Sequence, residues 1–250
     1  MDPQSLHTPR TVHRQWVKIT HLIGTISFLL LLFTGAEILM VHPRLYWGNV
    51  GNDLTPALFE LPISRNYQHG GWEQSQAFFN YAGSPVSAGR TYDIFNKNGW
   101  GRSLHFLSGW VLVIIGLIYL LMAMLSGHIR RNLLPHANEL TFRKLLRDMA
   151  EHARMQFAFV TSPQYGLLQK CSYLGVIFFL LPVIVLTGLT MSPAVTASHP
   201  WLLTIFFGAQ SARTIHFFAA SLLVLFLLVH IIMIIRSGFK QQMRAMTFGK

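Results

Sequence analysis

The 250-residue chain is predicted to be an all-α integral membrane protein, one four-helix bundle with both termini cytoplasmic and a large first external loop. Three observations carry that fold class. Hydrophobic residues make up 52% of the chain and charged residues 12%, with a mean hydropathy of +0.40, a composition of the membrane class. Four stretches with little or no charge, 22–41, 106–125, 171–191 and 215–235, each run 20 or 21 residues, enough for a helix to cross roughly 30 Å of hydrocarbon. The 20 Lys and Arg against 9 Asp and Glu are also distributed unevenly between the loops. A nucleic-acid-binding chain would carry its basic excess as clusters on a water-soluble surface, so that class is set aside.

The first helix is expected over about 16–41. A basic stretch precedes it and Thr34-Gly35-Ala36 loosely resembles a cleavage site, but the apolar run exceeds the roughly 7–15 residues of a signal-peptide core. The loop at 42–101 is rich in Pro, Gly, Tyr and Trp and has no sustained helical or strand period. It reads as a cap over the bundle and as a docking surface for an external partner. The second helix is expected over 103–126, a cytoplasmic loop over 127–169, and the third helix over 170–191, where Pro182 implies a kink. The apolar stretch 200–209 is too short to span and is expected at the membrane interface. The fourth helix follows over 213–236. The N-terminal arm, middle loop and C-terminal tail together hold 14 of the 20 basic residues. Less their acids, that side carries +10 and the other +1. By the positive-inside rule both termini are cytoplasmic. Cys171 is the single cysteine, which excludes an intrachain disulfide framework.

Four of the twelve histidines fall at membrane depth. His21 begins the first helix, His105 begins the second, and His216 and His230 lie near the two ends of the fourth. Ionisable side chains in lipid are costly and by default mark function. Fourteen residues separate His216 from His230, about four helical turns, so the two side chains point within roughly 40° of each other and stand about 21 Å apart along the axis. Threading the chain through the membrane puts His21 at the depth of His230 and His105 at the depth of His216. Paired imidazoles suit low-spin haem iron used for electron transfer, with both axial positions filled. A structural zinc would need four ligands in one tetrahedron, which two separated pairs do not supply. A proton relay would be expected to add intramembrane carboxylates, and Glu37 is the one candidate.

At these residues the chain resembles the membrane cytochrome b family, bacterial cytochrome b561 included, that serves nickel-iron hydrogenases, formate dehydrogenases and thiosulfate reductases. HRQWVKITHLIGTISFLLLLFTG looks like the family's first helix, in which a haem-ligating His stands thirteen residues before a Thr-Gly pair, here His21 and Thr34-Gly35. LQKCSYLGVIFFLLPVIVLTGLTMSP, with Pro182 and Thr187-Gly188, is similar to the third helix of the thiosulfate-reductase-like branch. RTIHFFAASLLVLFLLVHIIMII carries the paired histidines of the fourth. The resemblance implies two haem b groups held by His21 with His230 and by His105 with His216, and the long external loop fits the branch found beside periplasmic molybdenum oxidoreductases.

Arg102 and Arg213 near one pair, and Arg14, Lys18 and Arg236 near the other, are placed to meet anionic haem propionates at the interface, although for any one of them taken singly interfacial snorkelling is the favoured explanation. Thr34-Gly35, Gly109, Gly116 and Thr187-Gly188 suit either a flat macrocycle close to the backbone or ordinary helix packing. His13, Arg14, Lys18 and His21 form a candidate quinone site. The expected function is electron transfer in the bacterial inner membrane between quinone and a periplasmic oxidoreductase, thiosulfate-reductase-like or sulfite-oxidase-like. No side chain is assigned catalytic chemistry. The alternative is a stand-alone quinone-reducing oxidase such as a superoxide oxidase. It would want a basic external funnel, and here Arg65, Arg90, Lys97 and Arg102 are balanced by loop acids. A haem-free anchor or transporter is the third possibility, and the lack of internal sequence repeats counts against transport.

Overall fold

The computed structural model describes residues 14–52, 55–63, 98–135, parts of 141–150, 166–236 and 238–246. In chain order these form α1 (Gln15–Val41), the short strands β1 (Arg44–Leu45) and β2 (Phe59–Glu60), α2 (Asn98–Leu125), a π-helical turn (Ile129–Leu133), α3 (Leu167–Gly175), a second π-helical turn (Val176–Leu180), α4 (Leu181–Thr190), α5 (Pro193–Ser198), α6 (Trp201–Ile205), α7 (Ala209–Arg236) and α8 (Phe239–Met246). Four segments are long and apolar enough to cross a membrane: Gln15–Val41, Trp100–Leu125, Leu167–Thr190 and Ala209–Arg236. The four-helix membrane fold expected from composition and run length is borne out.

The helices are inverted relative to those of a water-soluble bundle. On α1, Ile19, Leu22, Ile26, Leu29 and Phe33 face outward, whereas Thr20, Ser27, Thr34 and Glu37 are buried. Thr20, Ser27 and Thr34 recur every seven residues and so share one helix face. Lipid tails are as apolar as leucine, so the outward face needs no burial, while small polar residues allow close helix approach. Their hydroxyls are satisfied locally: Thr20 donates to the Trp16 carbonyl at 2.8 Å, Thr34 to Leu30 at 2.7 Å and Thr187 to Val183 at 2.7 Å. Where no water is at hand, that back-bonding replaces solvation.

Pro182 acts where expected, and the form of the interruption is specific. The proline ring removes one backbone donor and crowds the preceding turn. The third span answers with the π-helical turn at Val176–Leu180 directly before it, a widened turn that absorbs the misfit.

The contacts divide the chain into two compact units, each drawing on all four spans. The first comprises 1–22, 116–180 and 223–250. Within it Trp16 packs against Tyr119 (5.6 Å between ring centres) and edge-on against His128 (5.8 Å). The backbone N–H of Leu168, in the first turn of α3, donates to Asp148 Oδ2 at 3.3 Å, occupying one of the donors a helix start leaves open.

The second unit comprises 23–115 and 181–222. Here the segment after α1 is stapled to the start of α7. The Gly48 carbonyl accepts from the N–H groups of Gln210 (3.0 Å) and Ser211 (3.2 Å), which occupies two first-turn donors of α7. Gly48 N–H donates to Ser211 Oγ at 2.6 Å, Thr214 Oγ1 donates to the Tyr46 carbonyl at 2.7 Å, and the Arg213 guanidinium donates to the His42 carbonyl. β1 and β2 pair antiparallel over two residues, too short to show as alternation in the sequence. Residues 64–97, the greater part of the expected docking loop, lie outside the described residues.

Candidate functional site

α2 and α7 bring His105 and His216 together in the second unit, with ring centres 6.3 Å apart and planes at 58°. In the first unit α1 and α7 bring His21 and His230 together, 6.4 Å apart at 51°. The separation is informative. An imidazole nitrogen lies about 1.1 Å from its ring centre and a metal–imidazole bond is about 2.0–2.1 Å, so two rings on opposite sides of one metal stand about 6.3 Å apart. Both pairs have that spacing. Plain ring packing also reaches this separation, as Tyr173 and His230 show at 6.4 Å, so what singles out these two is the recurrence of a histidine pair at the ligation distance.

Two imidazoles alone do not complete a metal's coordination. Among the described residues, no group of three or more His, Cys, Asp or Glu side chains could hold a metal ion. A metal between either pair would take its remaining ligands from a non-protein group. A planar tetradentate macrocycle, which leaves two opposite positions open, has that chemistry.

The comparisons agree with this donor set. The sequence profile described as prokaryotic cytochrome b561 matches residues 12–249. The chain belongs to the prokaryotic cytochrome b561 family. Members of this family bind haem b, and the protein is a b561-like, multi-pass membrane electron-transfer protein of bacterial type. It is also similar to a putative protein-methionine-sulfoxide reductase subunit, YedZ1, of Azospira oryzae (strain ATCC BAA-33 / DSM 13638 / PS), at 25% identity over 223 residues, covering 89% of each chain. No solved structure matches the chain.

In this cytochrome the surroundings of the two pairs differ. Thr34 Oγ1 lies 2.9 Å from His105 Nδ1, and Thr187 Oγ1 lies 3.0 Å from His216 Nδ1. The glycine after each threonine backs onto the same ring: a Cβ at Gly35 would stand 3.5 Å from His105 Cε1, and one at Gly188 3.5 Å from His216 Cε1. The two Thr-Gly pairs therefore seat histidines. Gly109 approaches only Leu31, at 4.0 Å, and Gly116 has open space in front of it. His230 instead sits among rings, stacked on Phe226 (5.8 Å, 14°) and edge-on to Tyr173 (6.4 Å, 72°). Gln169 Nε2 donates to the Tyr173 hydroxyl at 2.9 Å.

The remaining sequence candidates distribute as follows. Arg102 is exposed on α2, one turn before His105, and Arg213 lies on α7, one turn before His216. Arg213 uses one donor on the His42 carbonyl, leaving the rest of its planar fork for another acceptor. Arg14 is exposed just before α1, Lys18 is half-buried on its first turn, and Arg236 is exposed at the end of α7. Glu37 is buried, and its carboxylate packs against Gly101 of α2, where a Cβ would collide with Oε2. His13, Arg65, Arg90 and Lys97 lie outside the described residues. Sequence reading missed the threonine hydroxyls. The signal is the Thr-Gly pair found in two spans, which by itself suits a packing or macrocycle surface as well.

Proposed function

We propose that the protein is the di-haem electron-transfer subunit of a respiratory oxidoreductase in the bacterial inner membrane, passing electrons between the quinone pool and a periplasmic enzyme. The observation that carries this reading is the equal spacing of the two histidine pairs, 6.4 and 6.3 Å, each of which could hold one haem iron.

His21 and His230 would hold the haem on the cytoplasmic side, and His105 and His216 the one on the external side. Bound haem supplies one-electron chemistry, and the protein supplies ligation, spacing and a medium without water. Arg102 and Arg213 would meet the propionates of the outer group, and Arg14 and Lys18 those of the inner, because guanidinium and ammonium donors pair with carboxylates at the membrane surface. Quinone would bind beside the inner pair, where Arg14, Lys18 and His21 follow one another at the start of α1 and, with His13 next in the sequence, offer donors to its carbonyl oxygens.

The described external surface carries aromatic side chains suited to a protein partner. Trp47 and Phe207 are both exposed and stack on one another at 6.0 Å and 27°. The relative from Azospira oryzae bears a name that makes it a subunit of a reductase acting on protein methionine sulfoxide. That supports a periplasmic reductase of oxidised methionine as the partner class, ahead of a thiosulfate reductase.

The test is purification in mild detergent, followed by a pyridine haemochrome assay and a search for a co-purifying periplasmic oxidoreductase. Two haem b per chain with low-spin bands, reducible by a quinol analogue, are expected. Colourless protein overturns the reading. A coloured protein that oxidises superoxide alone and retains no partner favours the stand-alone oxidase.

A further inference from the structure

The hydrogen bonds around His105 and His216 settle a question of protons. Thr34 has one hydroxyl proton and three polar neighbours, the Leu30 carbonyl at 2.7 Å, the Leu31 carbonyl at 3.4 Å and His105 Nδ1 at 2.9 Å. A carbonyl can only accept, so with the hydroxyl proton on its shortest bond, to Leu30, Thr34 Oγ1 is left to accept from the ring, which also meets the Leu31 carbonyl. His105 therefore carries its proton on Nδ1, and Nε2 keeps a lone pair. Thr187 is placed in the same way, with the Val183 carbonyl at 2.7 Å, the Ile184 carbonyl at 3.1 Å and His216 Nδ1 at 3.0 Å. Both threonines have 0% exposure, so water does not reach their hydroxyls. Among the described residues, no hydrogen bond of this kind reaches the ring of His230, whose neighbours are the Phe226 and Tyr173 rings.

We propose that Thr34 and Thr187 are positioning residues for the outer haem. They lock His105 and His216 as Nδ1–H tautomers with Nε2 available to iron, and they tune that iron. An acceptor on Nδ1–H makes the imidazole a more basic ligand. A more basic ligand favours the ferric state, so the pair of threonines lowers the reduction potential of the outer haem while leaving the inner one untouched. The inference rests on the di-haem reading and goes beyond it by assigning two residues of this chain to the electronic setting of the outer site.

The experiment is a spectroelectrochemical titration of full-length, haem-loaded protein, with electron paramagnetic resonance on the oxidised samples, for Thr34→Val, Thr187→Val and the matching serine variants. Valine keeps the shape and removes the acceptor. Expected is full haem content with one of the two midpoint potentials moved upward, on the order of tenfold in the one-electron equilibrium or about 59 mV. The low-spin signal of that haem should shift with it, the other potential should stay in place, and serine should restore wild-type values. Haem-loaded valine variants with both potentials unchanged overturn the proposal, as does a shift confined to the haem of His21 and His230, identified in a His105→Ala background. If valine expels the haem, restoration of both haem and potential by serine supports the role, and failure of serine to restore them assigns the threonines to packing alone. Colourless wild-type protein overturns the di-haem reading and this one together, an outcome distinct from all the others.

Discussion

Thr34 Oγ1 lies 2.9 Å from His105 Nδ1, so a residue of α1 stands within hydrogen-bond reach of the ring of an α2 histidine. Thr187 of α4 stands in the same relation to His216 of α7 at 3.0 Å. Two Thr-Gly pairs, each on a helix neighbouring the one it serves, build the same cradle twice. The duplication is invisible as a sequence repeat because it consists of three residues per copy, drawn from two helices.

Removing one axial imidazole should remove one haem. His105→Ala or His216→Ala is expected to lower haem content from two per chain to one, and His21→Ala or His230→Ala to do the same at the other pair. Haemochrome stoichiometry on purified protein checks this. Retention of two low-spin haems in His105→Ala would disprove ligation by that residue.

The glycines of the cradles set a size limit. A Cβ at Gly35 stands 3.5 Å from His105 Cε1, an ordinary contact, so Gly35→Ala should keep the outer haem. Gly35→Leu drives further atoms into the ring and should displace it, at about 1–3 kcal/mol of overpacking. The readout is outer-haem occupancy, and equal occupancy in both variants would show that the cradle yields.

Gly208 is required by conformation as well as by space. Its φ is +111°, and a Cβ there would lie 2.5 Å from the Gly48 carbonyl carbon and oxygen, the same carbonyl that caps α7. Gly208→Ala should cost about 1–3 kcal/mol through strain and displacement of the cap. A lowered melting temperature in detergent, followed by haem absorbance, is the expected signature.

Lys18 provides the check on the quinone location. Lys18→Ala is expected to slow quinol-driven haem reduction on the order of tenfold, the loss of about one charge-assisted hydrogen bond, with the resting haem spectrum unchanged. An unaltered rate would remove this stretch of α1 from the quinone site.

The four spans were legible in the sequence because a bilayer imposes its thickness and its charge asymmetry on consecutive residues. Pro182 was legible as an interruption for a similarly local reason, a missing N–H. The depth matching of His21 with His230 and His105 with His216 followed from span count and helical rise. Within a span, the inward face was harder to read, since small polar residues inside and leucine outside invert the usual pattern. The stapling of Gly48 to Gln210 and Ser211 was not legible at all, because it joins the segment after one span to the start of another.

Chain order and composition thus determined which side chains exist at each depth and which kind of metal chemistry they suit. How those side chains are held is a product of the fold. Helical periodicity gives an angle about each helix's own axis, but the rotation of one helix against its neighbour depends on packing among residues far apart in the chain. Thr34 and His105 are 71 positions apart, Thr187 and His216 are 29. Each threonine–histidine contact exists only where those separate faces meet.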